Sequence, residues 1–282
     1  MELRAAIADA VERLIHGGVA DARLTAEVLL AAALGQDRVY LFAHPEEALS
    51  DEAARAFRRY LGERLSGKPT QYILGRQEFY GRTFKVTPDV LIPRPETEHQ
   101  VEVVMRRQPA ARLAADIGCG SGAIGVSLKL ERPAWRLLLT DISPAALAVA
   151  RENAATLGAQ VGFLCCDLGA ALAPGAFDVI VSNPPYIPLD ARDGLPREVR
   201  DHEPHVALFG SGLGAEIYRR LIADAGRALR IGGLLSVELG YQDIEAVRPM
   251  FSNDWRFIEV TQDLAGWPRV LSAFYHPRGA GL

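Results

Sequence analysis

The chain has 282 residues, 49% of them hydrophobic and 23% charged, a composition typical of a globular protein large enough for two unequal domains. Its net charge of −4 provides no overall cationic field, which argues against a dedicated DNA binder or a protein that docks on anionic membranes. No window predicts a membrane span, and the acidic N-terminus does not resemble a signal peptide. The cysteines are Cys119, Cys165 and Cys166, an odd number with an adjacent pair that cannot form an ordinary disulfide, so we expect a reducing, cytoplasmic compartment.

The N-terminal part of the chain has the pattern of a small helical domain. Apolar residues recur at helical spacing from residue 3 to about residue 66, and Ser50 followed by two acids is typical of a helix N-cap. We therefore predict an all-α domain over residues 1–70. Residues 77–86 alternate apolar and polar side chains around Gly81, which predicts a β-hairpin within a connector over residues 71–94.

The remainder, residues 95–282, alternates strand-like and helix-like runs. This alternation predicts right-handed βαβ units and a parallel, doubly wound sheet, that is, an α/β fold. The last two strand-like runs, WRFIEVTQD and PRVLSAFYH, have no helix between them, so they must pair antiparallel. Residues 187–213 show little periodicity, and a loop of that length inside a compact domain is usually functional.

A glycine-rich segment, DIGCGSG, lies where the first strand of this α/β domain passes into its first helix. Gly118, Gly120 and Gly122 permit a tight turn and the close approach of a ligand to the helix N-terminus. A turn without a ligand is one alternative, and a dinucleotide site that uses Gly125 is another. Asp116 argues against the dinucleotide because its carboxylate would repel a pyrophosphate, whereas it could face a ligand ammonium group.

Two further acids end the second and third predicted strands. Asp141 follows Asp116 by 141 − 116 = 25 residues, close to the spacing of about 20 at which an acid reaches the ribose hydroxyls of a nucleoside. Asp167 could accept a hydrogen bond from the amino group of adenine, and Leu168 could cover the ring. Each acid alone fits a solvated strand end or a helix cap equally well. Together with Asp116 they fit an amine, a ribose and an adenine, which is the make-up of S-adenosylmethionine.

The fourth predicted strand runs into VSNPPYIPL, residues 181–189. The two prolines end the strand and hold the backbone in one extended shape. Asn183 offers a side-chain oxygen and Pro184 a fixed carbonyl, so the pair could accept both N–H groups of an amide or an aromatic amine. Pro185 keeps this backbone rigid, and Tyr186 offers a face for stacking. A strand terminator without chemistry is the alternative reading.

These motifs carry a family resemblance. Residues 95–278 resemble the class I S-adenosylmethionine-dependent methyltransferase fold, with a seven-stranded sheet whose last strand is antiparallel. Over almost the whole chain, the helical first domain, QYILG, EFYG, LIPRPETE, DIGCGSG, NPPY and PRVLSAF resemble the peptide-chain release factor glutamine methyltransferases of the PrmC/HemK family. The resemblance implies transfer of a methyl group from S-adenosyl-L-methionine to the side-chain amide of the glutamine in the Gly-Gly-Gln motif of release factors.

The resemblance also assigns roles to residues. It places the cofactor on residues 118–122 and Asp141, with Leu168 near the adenine. With the residues argued from chemistry, the expected cofactor set is Asp116, Ile117, Gly118, Cys119, Gly120, Ser121, Gly122, Asp141, Ile142, Asp167, Leu168 and Asn183. The resemblance places the glutamine on Asn183, Pro184, Pro185 and Tyr186, which also form the catalytic set. Arg94 and Glu96 either line the acceptor pocket or simply start a helix after Pro95.

Three functional classes stay open from the sequence. NPPY also occurs in methyltransferases that act on the amino group of adenine in nucleic acid, but no basic target-recognition region is visible, so we expect no direct nucleic-acid binding. A cofactor-binding module without catalysis is the third class. The histidines His99, His202 and His205 follow no metal-ligand pattern, and we expect no metal.

Overall fold

The structure, a computed structural model, describes residues 1–210, 215–240 and 243–278. The chain divides into two compact units. The first comprises Met1–Gly75 with Pro196–His202, and the second comprises Arg76–Leu195 with Glu203–Leu282. Within the described ranges, no helix has both the length and the apolar character needed to cross a membrane.

The first unit is helical because its apolar residues repeat at the spacing of one helix face. Leu3, Leu14, Leu29 and Leu61 are completely or almost completely buried in one apolar cluster. The predicted cap is confirmed, since the Ser50 hydroxyl accepts the Ala53 N–H at 3.2 Å. The bounds are α1 Leu3–His16, α2 Ala22–Leu34, α3 Arg38–Ala43, α4 Asp51–Leu65 and α5 Thr70–Leu74.

The predicted hairpin is confirmed. It consists of β1, Arg76–Phe79, and β2, Arg82–Lys85, which pair antiparallel. Tyr80 and Gly81 form the turn with φ values of 50° and 69°, in the left-handed region that a tight hairpin requires.

The second unit contains one seven-stranded sheet in the order β5-β4-β3-β6-β7-β9-β8. All pairs among β3 to β7 are parallel, and the last strand, β9, is antiparallel to both of its neighbours, as predicted. The bounds are β3 Leu113–Ile117, β4 Arg136–Asp141, β5 Gly162–Cys165, β6 Phe177–Ser182, β7 Leu229–Glu238, β8 Trp255–Gln262 and β9 Pro268–Tyr275.

The helices that follow the hairpin lie before or between these strands along the chain. They are α6 Glu98–Arg107, α7 Ala123–Glu131, α8 Pro144–Thr156, α9 Arg197–His202, α10 His205–Leu208, α11 Ala215–Ala228 and α12 Ile244–Val247. Short 3-10 turns occupy Pro95–Thr97, Leu189–Gly194 and Arg248–Met250. The stretch 187–213, which we expected to be an irregular loop, contains one of these turns and both α9 and α10, and its residues 211–213 lie outside the described residues.

The strand order fixes where a ligand can bind. The strands β3 and β6 are neighbours, and the chain continues from β3 toward β5 on one side and from β6 toward β7 on the other. The connections therefore leave the carboxyl ends of β3 and β6 in opposite directions, which opens a crevice between them. β6 is buried along its whole length, so its end is held firmly beside that crevice.

Candidate active site

A cavity of about 290 Å³ lies at the carboxyl ends of β3, β4 and β6. It brings together many of the residues predicted from sequence: Arg94, Gly118, Cys119, Gly120, Ser121, Asp141, Ile142, Asp167, Leu168, Asn183 and Pro185. It does not bring Asp116, Ile117, Gly122, Pro184, Tyr186 or Glu96 to its wall. One cavity thus joins residues predicted for the cofactor with residues predicted for the acceptor.

The glycines after β3 have two different functions. Gly118 and Gly120 have φ values of 69° and 53°, and a Cβ built on either would meet nothing within 4 Å. Both line the cavity, so they leave open space for a ligand close to the backbone. Gly122 and Gly125 serve packing instead, because a Cβ on Gly125 would come within 2.8 Å of Leu139.

Asp116 is completely buried behind this glycine loop. Its Oδ2 accepts the Gly125 N–H at 2.8 Å, while Oδ1 has no hydrogen-bond partner among the described residues. Burial raises the pKa of Asp116 to about 7, although the Gly125 hydrogen bond opposes the shift. The structure therefore places Asp116 as a support for the loop. It does not place the carboxylate on the cavity wall, where we expected it to face a ligand ammonium group.

Asp141 lines the cavity at the end of β4. Its Oδ2 accepts the Gly120 N–H and its Oδ1 accepts the Ser143 N–H, both at 2.9 Å. Burial raises the pKa of Asp141, and these backbone hydrogen bonds lower it. Each carboxylate oxygen keeps lone-pair capacity beyond its one bond, so the side chain can still accept from ligand hydroxyls. Ile142 also lines the cavity and is 54% exposed.

The residues after β5 also line the cavity. Asp167 forms an ion pair with Arg220 of α11, which also lines the cavity and which the sequence reasoning missed. Leu168 has a φ of 48°, and its carbonyl accepts a hydrogen bond from the Cys166 thiol at 3.2 Å. An acid and an apolar side chain therefore stand side by side on this wall.

Asn183, at the end of β6, is joined to two residues that the sequence reasoning did not assign. Its Nδ2 donates to Thr97 Oγ1 at 3.3 Å, and the Thr97 hydroxyl donates to Glu238 Oε2 at 2.6 Å. Glu238 is only 1% exposed, and burial raises its pKa to about 7. The signal for Glu238 was available, because it is an acid at the carboxyl end of an apolar strand, like Asp141.

The rest of NPPY is divided between cavity and core. Pro185 lines the cavity, whereas Pro184 is buried. The ring of Tyr186 packs so closely on Gly240 that a Cβ there would lie 3.0 Å from the ring. Burial raises the pKa of Tyr186, with the Glu238 charge adding to the shift. Because Tyr186 does not line the cavity, stacking of a substrate on its ring stays a prediction.

Arg94 lines the cavity and forms an ion pair with Glu203, whose side chain is 1% exposed. Glu203 also accepts the Ile92 N–H at 3.3 Å, so it holds both the side chain and the backbone of this segment. Glu96 does not line the cavity and lies in the 3-10 turn before α6, which fits the helix-start reading. In the described part of the chain, no cluster of histidines, cysteines and acids could hold a metal ion.

The cavity wall also includes residues to which the sequence analysis assigned no role. They are Asp89, Val90, Leu91, Pro93, Thr97, Ala123, Ile124, Ser143, Ala146, Cys166, Val206, Ala207, Phe209, Gly210, Ile217 and Arg220. Most are apolar, as the walls of small-molecule sites usually are. Val206 and Phe209 come from α10 and its end, within the segment that the sequence did not resolve into elements.

Two protein-family models match parts of this chain, and curated relatives match almost all of it. The family model for the PrmC N-terminal domain matches residues 5–75, and the methyltransferase small domain matches residues 100–193. Release factor glutamine methyltransferases from Koribacter versatilis and Moorella thermoacetica are 43% and 45% identical to the chain. The alignments cover 96% and 97% of the chain and 98% and 99% of those proteins.

Solved structures share the fold. A methyltransferase from Pyrococcus furiosus superposes with a TM-score of 0.53 at 17% identity, over 70% of this chain and 91% of that one. The 16S rRNA N2 G1207 methyltransferase of T. thermophilus, solved with AdoMet and guanosine, gives a TM-score of 0.51 at 20% identity, over 71% of this chain and 50% of that one. At these identities the likeness shows the class I methyltransferase fold.

Proposed function

The chain belongs to the family of release factor glutamine methyltransferases, and we propose that it transfers a methyl group from S-adenosyl-L-methionine to the side-chain amide nitrogen of the glutamine in the Gly-Gly-Gln motif of peptide chain release factors. One observation carries this proposal. Asn183 and Pro185 share a cavity of about 290 Å³ with Gly118, Gly120 and Asp141, so an amide held by NPPY would lie next to a cofactor held by the glycine loop.

The residues present fit the proposed cofactor. The open space above Gly118 and Gly120 admits a ligand close to the backbone, and Asp141 keeps acceptor capacity for ribose hydroxyls. Leu168 and Ile142 provide apolar surface for the adenine, and Asp167 provides an acceptor beside it. When bound, S-adenosyl-L-methionine supplies an electrophilic methyl group on a sulfonium sulfur.

The chain's contribution to the reaction is mainly positioning. An amide nitrogen is a poor nucleophile because its lone pair is delocalised. We propose that Asn183 Oδ1 and the Pro184 carbonyl accept the two N–H groups of the glutamine and aim the nitrogen at the methyl carbon. The bound cofactor would supply the methyl group and leave as S-adenosyl-L-homocysteine, and the methylated nitrogen would release one proton to water. No obligatory general base is required in this scheme.

The proposal also gives a function to the helical residues 1–70. We assign them to recognition of the release factor, because they contain none of the residues proposed for the cofactor or the acceptor. In this proposal the partner of the enzyme is a class I release factor, and the enzyme binds neither a membrane nor nucleic acid directly. The described cysteines Cys119, Cys165 and Cys166 are all free, which supports a cytoplasmic location. The relatives' names do not favour methylation of adenine in nucleic acid, which is therefore not proposed.

The test uses labelled S-adenosyl-L-methionine with release factor and duplex DNA in parallel. We expect label on the release factor only. A release factor whose Gly-Gly-Gln glutamine is replaced by alanine is the matched control and should take up no label. Label on DNA, or an equal rate with the glutamine-free release factor, would contradict the proposed function.

A further inference from the structure

We propose that Thr97 and Glu238 are positioning residues that fix which atom of the Asn183 amide faces the acceptor. This inference rests on the proposed function, in which Asn183 accepts an N–H of the substrate glutamine. A side-chain amide has an acceptor at one end and a donor at the other, and the two ends have nearly the same shape. Only the acceptor end can hold the substrate N–H, so the orientation of the amide decides whether the site works.

The hydrogen-bond chain fixes the orientation by elimination. An ionised Glu238 carboxylate can only accept, so the Thr97 hydroxyl must donate its single proton to it, across 2.6 Å. Thr97 Oγ1 is then left with lone pairs alone and can only accept from Asn183, across 3.3 Å. The Asn183 group that turns toward Thr97 must therefore be its NH₂, which leaves the oxygen free to accept from the substrate.

The supporting residues are held rigidly, as a positioning function requires. Thr97 is 4% exposed and Glu238 is 1% exposed, and they come from different elements, the turn before α6 and the end of β7. One helical turn further along α6, the buried Gln100 donates to the carbonyls of Ser182 and Ser236 at 2.8 Å and 3.1 Å. This side chain ties the backbone immediately before Asn183 to β7.

Glu238 takes its accepting, ionised form at alkaline pH. Arg269 and Arg94 stabilise the carboxylate, Glu96 opposes it, and burial raises its pKa to about 7. A protonated Glu238 could donate to Thr97, and the elimination argument would then fail. We therefore expect the orientation to be enforced above pH 7, and the test is set at pH 8.

Two substitutions separate positioning from packing. Thr97→Val keeps the shape and removes the hydroxyl, whereas Thr97→Ser keeps the hydroxyl. We expect Thr97→Val to lower kcat for release factor methylation by about 10-fold to 100-fold with little change in either KM, and Thr97→Ser to restore most of the loss. The control is Ser127→Ala, which removes a buried hydroxyl that has no partner among the described residues and lies outside the site.

A second readout does not depend on activity. The chain contains only three asparagines, Asn153, Asn183 and Asn253, so selective ¹⁵N labelling gives three side-chain amide signals, and Asn183→Ala identifies one of them. We expect Thr97→Val to shift the Asn183 signal at pH 8 and to leave the other two in place. An unshifted signal, or wild-type kcat in Thr97→Val while wild-type enzyme methylates release factor, would overturn the inference. Failure of the wild-type enzyme to methylate release factor would instead overturn the proposed function.

Discussion

The side-chain amide of Asn183 donates to the hydroxyl of Thr97 at 3.3 Å, although 86 positions separate the two residues in the chain. This contact gives the Asn183 NH₂ a fixed partner on the cavity wall. The effect of an Asn183 substitution on methyl transfer therefore depends on two properties of the new side chain. These are whether it can accept a hydrogen bond from the substrate and whether it can donate one to Thr97.

Asn183→Ala removes the proposed acceptor for the glutamine N–H. We expect methyl transfer to slow by about 10²-fold to 10³-fold, the usual scale for one preorganised polar group, with a much smaller effect on cofactor affinity. Single-turnover rates with labelled cofactor measure the first quantity and calorimetry measures the second. Asn253→Ala, at an exposed asparagine, is the control. Full activity of Asn183→Ala would mean that NPPY only ends the strand.

Asp141→Ala removes the carboxylate proposed to hold the ribose and leaves the Gly120 and Ser143 N–H groups without their acceptor. We expect cofactor binding to weaken by about 1 to 3 kcal/mol, the scale for losing a buried hydrogen-bonding partner. Calorimetry with S-adenosyl-L-methionine measures the change, and Asp190→Ala at an exposed acid serves as control. A wild-type enzyme that preferred a nicotinamide dinucleotide would contradict the cofactor assignment itself.

Gly120→Ala should weaken cofactor binding, because the added Cβ would overlap with the ligand and would also strain the backbone. Gly120 has a φ of 53° and borders the cavity, so an added Cβ would occupy the ligand's space. Gly175→Ala is a matched control, because Gly175 has a φ of 62°, open space around its Cβ and no place on the cavity wall. We expect both variants to lose about 1 kcal/mol of stability and only Gly120→Ala to lose cofactor affinity. Equal cofactor affinities by calorimetry would argue against a ligand at the loop.

The raised pKa of Asp116 predicts a pH dependence of stability. Because the folded-state pKa is about 7 against a reference of 3.8, the folded protein holds this proton more tightly than the unfolded chain does. The contribution of Asp116 to the free energy of unfolding is therefore most favourable below pH 4 and declines as the pH rises toward 7.

Asp116→Asn removes this titration and keeps an acceptor for the Gly125 N–H. We expect the free energy of unfolding of the variant, relative to wild type, to rise by about 2 to 4 kcal/mol between pH 4 and pH 8. Urea unfolding without cofactor, with Asp190→Asn as control, measures the difference. A difference that is the same at both ends of the range would contradict the burial argument.

A chain that begins near Gly75 tests the assignment of the helical residues. It keeps all the residues proposed for the cofactor and the acceptor, so we expect it to bind S-adenosyl-L-methionine but to methylate intact release factor poorly. Calorimetric binding of the cofactor is the control for folding. Full transfer activity would remove release factor recognition from residues 1–70.

The sequence predicted those parts of the site whose position follows from local rules. Gly118, Gly120 and Asp141 stand at strand ends of a parallel sheet, and parallel strands bring their carboxyl ends to one edge. Asn183 follows from the same rule. The side-chain direction of Asp116 did not, because a residue at a strand end can point toward the ligand or behind the loop, and only packing against Gly125 decides which.

Other residues depend on contacts between distant parts of the chain. Thr97 reads locally as part of a helix start, and its link to Glu238 spans 141 positions. From the sequence alone, Arg220 is one polar residue on the exposed face of α11. Only the order of the strands in the sheet brings it close enough to pair with Asp167. Such contacts are set by tertiary packing, which single-sequence patterns do not encode.

Contacts between residues far apart in the sequence also affect the order in which the two parts of the site form during folding. The strand β7 carries Glu238 and pairs with β6 in a register that places Ser182 opposite Val237. A slip of one residue would turn Glu238 to the other face of the sheet and leave Thr97 without its acceptor. Cofactor-binding residues on β3 and β4 can assemble from nearby segments, whereas the acceptor site requires β7 to dock in register. Maturation of the acceptor site should therefore be among the last steps as the protein folds.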